Sequence, residues 1–278
     1  MIPAFSTLRV RLERLFGRNG VSSSGHEGLS ARTIACFKAC NDHDLVSALS
    51  QGILKRWRQL DGLAVLPIPP GFAEIHGRFD GKALLIRNVC FSAQGFRKLH
   101  LEVANLGPGL NILHCVMFPD HSWDLPLFGC DIVTARGRVT AAVVDLSPTA
   151  AALDGQWLEA LAPLRRFAYA TPRDLPEWGS IFSAAVCFVR PGSAEEENAF
   201  LKQSLGYLDA LLNRKASIIP DGSDDPASLA RLEGQRRYCR QQQCNDKTRR
   251  VLAKAFDDSW ADRYIRELLF DSPQVGAA

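Results

Sequence analysis

The 278-residue sequence lacks most of the short motifs that identify a chemistry. No GxGxxG follows a strand pattern, and no GxxxxGK precedes Ser or Thr, so the common nucleotide-binding loops are missing. GxSxG is also absent, which weakens an assignment to the serine hydrolases. The cysteines and histidines do not have the spacing of zinc ligands. We therefore predict no metal, and a redox enzyme built on this chain would take its electrons from outside the chain.

Long hydrophobic runs and strong net charge are missing too. No run approaches the roughly 20 apolar residues that span a bilayer, so we predict no membrane span. The formal net charge of +3 is too small to indicate a nucleic-acid partner. Hydrophobic residues make up 46% and charged residues 23%, which is typical of a globular protein. The eight cysteines include no CxxC pair, which favours reduced thiols in a cytoplasmic protein.

The first thirty residues differ from the rest. LRVRLERLFGR is a short basic amphipathic stretch, too interrupted by charge for the hydrophobic part of a secretory signal. We predict a mobile basic arm over residues 1–30 and a single domain over residues 31–278. Because no extra apolar surface is evident, we expect a monomer.

Apolar periodicity predicts a helix followed by a run of strands. The helix covers about residues 31–60 and ends at the proline cluster LPIPPGF, because proline lacks an amide donor. Six strand patterns follow: EIHGRF, ALLIRNVCFS, FRKLHLEVANL, LNILHCVMF, LPLFGCDIVT and RVTAAVVDLS. Consecutive strands with short turns predict a mostly antiparallel sheet.

The second half of the chain is mostly helical. AAALDGQWLEALAPL predicts a helix, IFSAAVCFVR a further strand, and residues 193–214 a long helix. Ser193 and Glu196 have the spacing of a capping box at the start of that helix. Helical pattern also runs from Leu229 to near the C-terminus. Helices before and after the strands predict an α+β fold in which they cover the apolar faces of the sheet.

Polar residues interrupt these strands where apolar residues are expected. If the hairpin turns centre near residues 107, 122.5 and 135.5, His100 faces His114, His114 faces Asp131, and Asp131 faces Thr140. Glu102 lies two residues from His100 and therefore on the same face. Two imidazoles, two carboxylates and a hydroxyl in neighbouring positions indicate a reaction site.

Three interpretations of this row stay open at this point. His100, His114 and either Asp131 or Glu102 have the composition of the facial triad that holds iron in oxygenases. Alternatively, the row lines a pocket that binds a large planar polar molecule and delivers protons to it. A third, non-enzymatic interpretation is a carrier for a haem-derived pigment. Metal content separates the first from the others, and reduction of a bound pigment separates the second from the third.

Much of the chain between about residues 96 and 271 resembles the ferredoxin-dependent bilin reductases. The similar stretches are FRKLHLEVA, LNILHCVMFP, LPLFGCDIV, AAVVDLSPT, PEWGSIFS, NDKTRRVLAKAF and SWADRYIRELLFD. The resemblance implies a three-layer α/β/α sandwich with biliverdin between the sheet and the C-terminal helices. It also implies a four-electron reduction of biliverdin IXα to phycocyanobilin through bilin radicals, with electrons from reduced ferredoxin and no bound cofactor. The alternative is a related reductase with a phycoerythrobilin-type or two-electron product.

The resemblance also implies roles for individual residues. Asp131, expected to be buried and to carry a proton, would protonate the bilin together with His114. Glu102 would protonate the D-ring vinyl group, and its presence favours phycocyanobilin as product. His100 would hydrogen-bond the D-ring lactam. Further substrate contacts are expected from Val116, Thr140, Arg173, Asn245, Lys247 and Val251, with Thr140 and Arg173 as candidates for the two propionates. The residue pattern itself predicts that Asp246 caps a helix starting at Lys247.

The implied partners are an acidic ferredoxin and the proteins on either side of the reaction. A basic cluster is predicted to steer the ferredoxin; it comprises Arg236, Arg240, Arg249, Arg250 and Lys254. A haem oxygenase would supply biliverdin. A phytochrome or a phycobiliprotein would receive the product.

Overall fold

The computed structural model describes residues 43–177 and 179–274. The predicted N-terminal arm and the first part of the predicted 31–60 helix lie outside the described residues. The division into arm and domain therefore stays a prediction.

Within the described residues, eight strands form one sheet in which every neighbouring pair is antiparallel. They are β1 Ala64–Val65, β2 Glu74–Phe79, β3 Lys82–Ala93, β4 Phe96–Asn105, β5 Asn111–Pro119, β6 Leu127–Ala135, β7 Arg138–Ser147 and β8 Cys187–Val189. The order across the sheet is β1-β3-β4-β5-β6-β7-β8, and β2 also pairs with β3. The six predicted strands are β2 to β7.

Helices cover both faces of this sheet. They are α1 Asp44–Trp57, α2 Gly155–Leu161, α3 Ala194–Lys215, α4 Pro226–Gln243, α5 Asp246–Ala255 and α6 Asp258–Arg263, which continues into a π-helical turn, Tyr264–Leu269. The first three contribute to one apolar core, and the last three contribute with the π-helical turn to another. The predicted α+β class and three-layer α/β/α arrangement are thereby confirmed. None of the helices in the described ranges is long and apolar enough to cross a membrane.

Strand β4 shows why both faces are covered. Leu99, Leu101 and Val103 lie in the core that α1 and α3 complete. The residues between them point to the opposite face, because side chains alternate along a strand. That opposite face carries His100 and Glu102, which are also buried. Polar groups placed there must find partners within the protein, since burial without a partner is costly.

The pairing of β4 with β5 differs from the prediction by two residues. Glu102 pairs with His114, and His100 pairs with Val116, whereas His100 was predicted to face His114. The difference arises because the loop is centred on residue 108; the amide of Leu106 donates to the carbonyl of Leu110 across it. A shift of two residues keeps every side chain on its predicted face.

The pairing of β5 with β6 is as predicted, whereas that of β6 with β7 is not. His114 pairs with Asp131. Asp131, however, pairs with Val143 and not with Thr140. The tight turn consists of Arg136 and Gly137, both with positive φ, and a bulge between β6 and β7 adds one further residue.

Two predicted elements are shorter than their patterns suggested. The helix predicted over residues 150–164 begins only at Gly155, where Asp154 caps it by accepting from the amide of Trp157. The strand predicted over residues 181–190 is reduced to β8, because residues 179–181 form a 3-10 turn. Strand β1 was missed, since two residues carry no periodicity.

The start of α3 matches the predicted cap in one of its two contacts. The Ser193 hydroxyl accepts from the amide of Glu196, as expected of an N-cap. The Glu196 carboxylate, in contrast, accepts from the amides of Ala170 and Gly192. These two bonds fasten the preceding loop to the helix and lower the pKa of Glu196.

Helix α4 approaches a loop so closely that only glycine fits. A Cβ atom at Gly234 would lie 1.7 Å from the carbonyl oxygen of Thr149. We expect Gly234→Ala to lower the free energy of unfolding by about 3 kcal/mol or more, measured by urea denaturation, because backbone must move to relieve the clash. Gly155→Ala is the control, since nothing lies within 4 Å of that Cβ position. Equal denaturation midpoints for the two variants would contradict the prediction.

Candidate active site

The predicted polar row lies on the sheet face that α4, α5 and α6 cover. The structure brings His100 and Glu102 of β4 together with His114 of β5 and Asp131 of β6. The two imidazole rings are 5.7 Å apart between centroids. His100, Glu102 and His114 are buried, whereas 39% of the Asp131 side chain is exposed. The expectation that Asp131 is buried is therefore wrong, and this carboxylate gives the row its contact with solvent.

His114 and Asp131 form a tight pair. His114 Nδ1 lies 2.5 Å from Asp131 Oδ1. Burial by itself lowers the pKa of His114, but the charge and hydrogen bond of Asp131, with the charge of Glu102, outweigh burial and raise it. This shift favours the imidazolium form of His114 beside Asp131. Its other nitrogen, Nε2, is a buried donor without a hydrogen-bond partner among the described residues.

His100 is held in the opposite charge state. Burial lowers the pKa of His100 well below its usual value, and the positive charges of Lys98 and His114 lower it further. Its Nε2 lies 2.9 Å from the side-chain oxygen of Asn88, so the proton of the neutral ring is on Nε2. Nδ1 is then a buried acceptor, and the described residues provide no partner for it.

The two histidines therefore present complementary hydrogen-bonding atoms. His100 offers an acceptor at Nδ1 and His114 a donor at Nε2, from adjacent strands. An amide edge, with an N–H beside a carbonyl, has the matching pattern. A lactam ring carries such an edge, and the buried apolar surroundings suit the rest of a flat ring system.

Glu102 contacts a residue that the periodicity of the strands did not single out. The Tyr264 hydroxyl is 2.6 Å from Glu102 Oε2. Burial raises the pKa of Glu102, and the negative charge of Asp131 raises it further. The positive charge of His114 lowers this pKa, as a hydrogen bond donated by Tyr264 would. A carboxyl group in this position is suited to carrying a proton at neutral pH.

Asn88 and Tyr264 were missed by the sequence analysis. Asn88 pairs directly with Glu102 across β3 and β4, so extending the register by one strand would have found it. Tyr264 comes from the π-helical turn, and no local pattern indicates which face of the sheet such a turn reaches.

A cationic clasp holds the C-terminal segment over the row. The Lys98 ammonium group contacts the carboxylate of Asp271 and donates to the carbonyl of Leu268 at 2.5 Å. Arg97 donates to the other oxygen of Asp271 at 2.8 Å. Between these contacts, the ring of Phe270 packs edge-on against His114, 5.4 Å between centroids. The clasp was not predicted, because it depends on residues 170 to 174 positions apart.

The apolar residues predicted to contact substrate belong to the same face. Val116 is buried next to His100 in the apolar core under α4 to α6. Val251 of α5 packs against that core from the helical side. Asn245 caps α5 by accepting from the amide of Lys247, so the prediction that Asp246 is the cap is wrong. Lys247 itself is exposed in the first turn of α5.

The two residues predicted for the propionates lie together outside the row. Arg173 donates to the carbonyl of Thr140 at 2.5 Å. The Thr140 hydroxyl donates to the carbonyl of Val133, within the bulge of β7. Thr140 therefore does not extend the row as predicted, although its contact with Arg173 keeps the two candidates adjacent.

Most of the predicted basic cluster is already paired with carboxylates. Arg249 binds Asp262 at 2.7 Å and Asp258 at 3.1 Å, which joins α5 to α6. Arg236 and Arg240 both contact Glu233, and Lys254 contacts Asp80. Arg250 is exposed and donates to the carbonyl of Asp246. Of the five cations it is the one with no carboxylate pair among the described residues.

A metal site does not form in the part of the chain that the structure describes. No group of three or more His, Cys, Asp or Glu side chains there is arranged to hold a metal ion. His114 Nδ1 is engaged by Asp131, and His100 Nε2 by Asn88. The facial-triad interpretation therefore lacks a ligand set in these residues.

Known proteins resemble this chain over most of its length. Two relatives from Synechococcus sp. strains CC9902 and CC9605, both described as phycocyanobilin:ferredoxin oxidoreductases, are 48% and 50% identical over 231 and 232 residues. Each alignment covers 83% of this chain and 94% of the relative. Tomato phytochromobilin synthase, solved in complex with biliverdin, superposes with a TM-score of 0.66. It is 18% identical, with 87% of this chain and 83% of that chain covered, and so supports the fold alone.

A family model covers nearly the whole described region. The model of the ferredoxin-dependent bilin reductases matches residues 50–271, which include the polar row, Tyr264 and the clasp at Asp271. The resemblance inferred from the sequence is confirmed. The chain belongs to the ferredoxin-dependent bilin reductase family.

Proposed function

We propose that this protein reduces biliverdin IXα to phycocyanobilin with four electrons from ferredoxin and four protons from the polar row. The observation that carries the proposal is the array on one sheet face: a neutral imidazole, an imidazolium–carboxylate pair and a buried carboxyl group. It supplies hydrogen-bonding atoms for a lactam and proton donors within one site. The identity to two phycocyanobilin:ferredoxin oxidoreductases supports the same substrate and product.

Reduction by single electrons requires proton donors at defined positions. The first and third electrons from ferredoxin each produce a bilin radical, which the second and fourth electrons reduce further, and the accompanying protons must be delivered to chosen carbons. The protein's own groups supply these protons, and ferredoxin supplies the electrons without a cofactor bound to the chain. Two donors in different surroundings, His114 with Asp131 and Glu102, allow two parts of the bilin to be protonated separately.

The His114–Asp131 pair is suited to protonating the bound bilin near its pyrrole nitrogens. A positive charge on the bilin raises its electron affinity and so favours the first electron transfer. The raised pKa of His114 keeps this proton available, and the exposed side of Asp131 connects the pair to water for reloading.

Glu102 and His100 are suited to the D-ring. Glu102 would donate its proton to the D-ring vinyl group, while His100 Nδ1 accepts from the lactam N–H. Val116 and Val251 would contact the bilin face, and Asn245 and Lys247 would approach it from α5. Arg173 is a candidate for a propionate, since arginine binds carboxylates through paired donors.

The proposed partners follow from the substrate. Biliverdin would come from a haem oxygenase, and a phytochrome or a phycobiliprotein would take up the product. A cytoplasmic location would suit both of these exchanges. Arg250, together with the partly neutralised cations around it, would meet the acidic ferredoxin.

The assay that tests the function also tests Glu102. In an anaerobic reaction with biliverdin and reduced ferredoxin, we expect the wild-type protein to form phycocyanobilin, identified by absorption spectrum and chromatographic elution. Glu102→Gln should accumulate a bilin with the D-ring vinyl group intact, because the amide has no acidic proton. Glu74→Gln, at an ion pair near the sheet edge, is the control. Ordinary phycocyanobilin from Glu102→Gln would remove Glu102 from the mechanism.

Asp131→Asn tests the other proton donor. We expect the variant to bind biliverdin and to lose about 10²- to 10⁴-fold in the rate of the first reduction, followed by absorbance in single turnovers. The pKa of His114, measured by NMR, should fall, because burial and Lys98 lower it once Asp131 is removed. In the wild type, the stability that this pair contributes is complete below pH ~6.5 and is lost as the pH rises through the raised pKa.

The control for this variant is Asp209→Asn, which breaks a comparable ion pair with Arg56 under the other helical layer. It should leave both the rate and the titration of His114 unchanged. Wild-type turnover in Asp131→Asn would refute the assignment.

Arg250→Glu tests the docking surface without disturbing a described ion pair. Reversing Arg249 as well would break its contacts with Asp258 and Asp262 and confuse docking with folding. We expect kcat/KM for ferredoxin at low salt to fall by about 3- to 10-fold and its salt dependence to become flatter. Arg58→Glu, exposed after α1 on the other side of the sheet, changes the net charge equally and should have little effect. Equal losses in both variants would exclude a localised docking site at Arg250.

A further inference from the structure

Four buried polar groups form a continuous chain between Glu102 and His100. The Tyr264 hydroxyl lies 2.6 Å from Glu102 Oε2 and 3.0 Å from Asn88 Oδ1, and Asn88 Oδ1 lies 2.9 Å from His100 Nε2. All four residues are at most 6% exposed. Water is therefore excluded from the chain, and each contact needs one proton between its two atoms.

The orientation of the Asn88 amide is fixed by its other end. The side-chain nitrogen of Asn88, Nδ2, donates to the carbonyl of Phe72 at 2.7 Å. The backbone amide of Asn88 donates to the carbonyl of Ala73 at 2.9 Å. Rotating the side-chain amide by half a turn would place its oxygen against the Phe72 carbonyl, leaving two acceptors in contact. The side-chain oxygen of Asn88 therefore faces Tyr264 and His100.

The number of protons available to these hydrogen bonds determines whether Glu102 is protonated. Asn88 Oδ1 only accepts, so both His100 Nε2 and the Tyr264 hydroxyl donate to it. Tyrosine has one hydroxyl proton, which this bond uses. The proton between Tyr264 and Glu102 must then belong to Glu102. If Tyr264 donated to Glu102 instead, the Tyr264 and Asn88 oxygens would face each other at 3.0 Å without a proton, which is unfavourable in a buried site.

We infer that Tyr264 and Asn88 are positioning residues that hold Glu102 as a protonated acid and His100 as its Nε2–H tautomer. This inference rests on the proposed function in one respect, since it concerns the groups that would serve the D-ring. Tyr264 and Asn88 would set the protonation of Glu102 and His100 before the first electron arrives.

The charges around the chain agree with this assignment. Burial raises the pKa of Glu102 and lowers that of His100, and it raises that of Tyr264, which therefore stays a phenol. The groups that face Glu102 are His114, Asp131 and Tyr264, and Lys98 and His114 act on His100. Of these, His114 opposes protonation of Glu102, whereas Asp131 favours it.

Packing fixes the Tyr264 ring so that its hydroxyl stays in place. Trp260 stacks on Tyr264 at 4.8 Å between centroids with an interplanar angle of 14°. Phe72 packs edge-on against the same ring at 5.2 Å. The ring stands at the start of the π-helical turn, a feature often found at functional sites.

The same chain stabilises Glu102 after it has given up its proton. During vinyl reduction the O–H bond of the Glu102 carboxyl breaks, and a C–H bond forms on the bilin radical, whose extra electron came from ferredoxin. Glu102 is left as a carboxylate. Rotation of the Tyr264 hydroxyl from Asn88 to Glu102 then provides a donor to the new charge, without movement of the ring.

The experiment locates the proton directly by infrared difference spectroscopy of the whole protein without substrate. We expect a protonated carboxyl band at neutral pH that disappears in Glu102→Gln. In Tyr264→Phe this band should move to higher frequency, because the carboxyl O–H loses its acceptor. A missing band in the wild type, or an unmoved band in Tyr264→Phe, would overturn the inference.

Asn88→Leu provides a second test if Tyr264→Phe does not fold. Without Asn88 Oδ1, Tyr264 is free to donate to Glu102, so the carboxyl band should weaken at the same pH. An unchanged band would contradict the proton count. Tyr207→Phe is the matched control, because its buried hydroxyl donates to the carbonyl of Ala185 under the other helical layer. It should leave the band as it is.

Turnover gives an independent readout. Tyr264→Phe should keep the wild-type KM for biliverdin and lose about 10-fold or more in the D-ring step, with the vinyl-retaining bilin accumulating. An unaltered D-ring rate would show that the phenol does not position Glu102. The infrared bands need neither biliverdin nor ferredoxin. A wild-type protein inactive on biliverdin would therefore refute the proposed function, whereas the spectra would still decide whether Glu102 is protonated.

Discussion

Burial of ionisable groups on one face of the sheet is the constraint on which the rest of the site depends. Out of water, each charge state must be stabilised by a specific neighbour, since solvent cannot do so. Burial, together with the charges of Lys98 and His114, keeps His100 neutral, whereas Asp131 raises the pKa of His114 against the effect of burial. The helices α4 to α6 bury this face of the sheet. The protonation states of the row therefore depend on how these helices pack against the sheet as well as on the residues of the row.

The row could be predicted because strands have a short, strict period. The alternation of Leu99, Leu101 and Val103 with His100 and Glu102 was enough to assign faces, and an error of two residues in the pairing of β4 with β5 left those faces unchanged. Thr140 does not belong to the row. The displaced turn and the bulge together shift the pairing of β6 with β7 by three residues from the prediction, and a shift by an odd number places Thr140 on the opposite face of the sheet.

Other parts of the site could not be predicted in this way. Tyr264 and Asp271 reach the row from a π-helical turn and the segment after it, and helical periodicity says nothing about where a turn meets a distant strand. The ion pairs of the basic cluster could not be predicted from the sequence either. Arg249 and Lys254 look available in the sequence, yet their carboxylate partners, Asp262 and Asp80, were assigned to no role. Family resemblance identified the substrate class, whereas only three-dimensional contacts identified the partners of each functional group.

The clasp between Lys98 and Asp271 has a consequence for how the protein is made. Lys98 is translated 173 residues before Asp271, the anion that balances it. A nascent or prematurely terminated chain without Asp271 would present an uncompensated ammonium group beside both imidazoles, which would disfavour their protonated forms. Competence to handle protons would thus be acquired only after Asp271 has been translated and has bound Lys98.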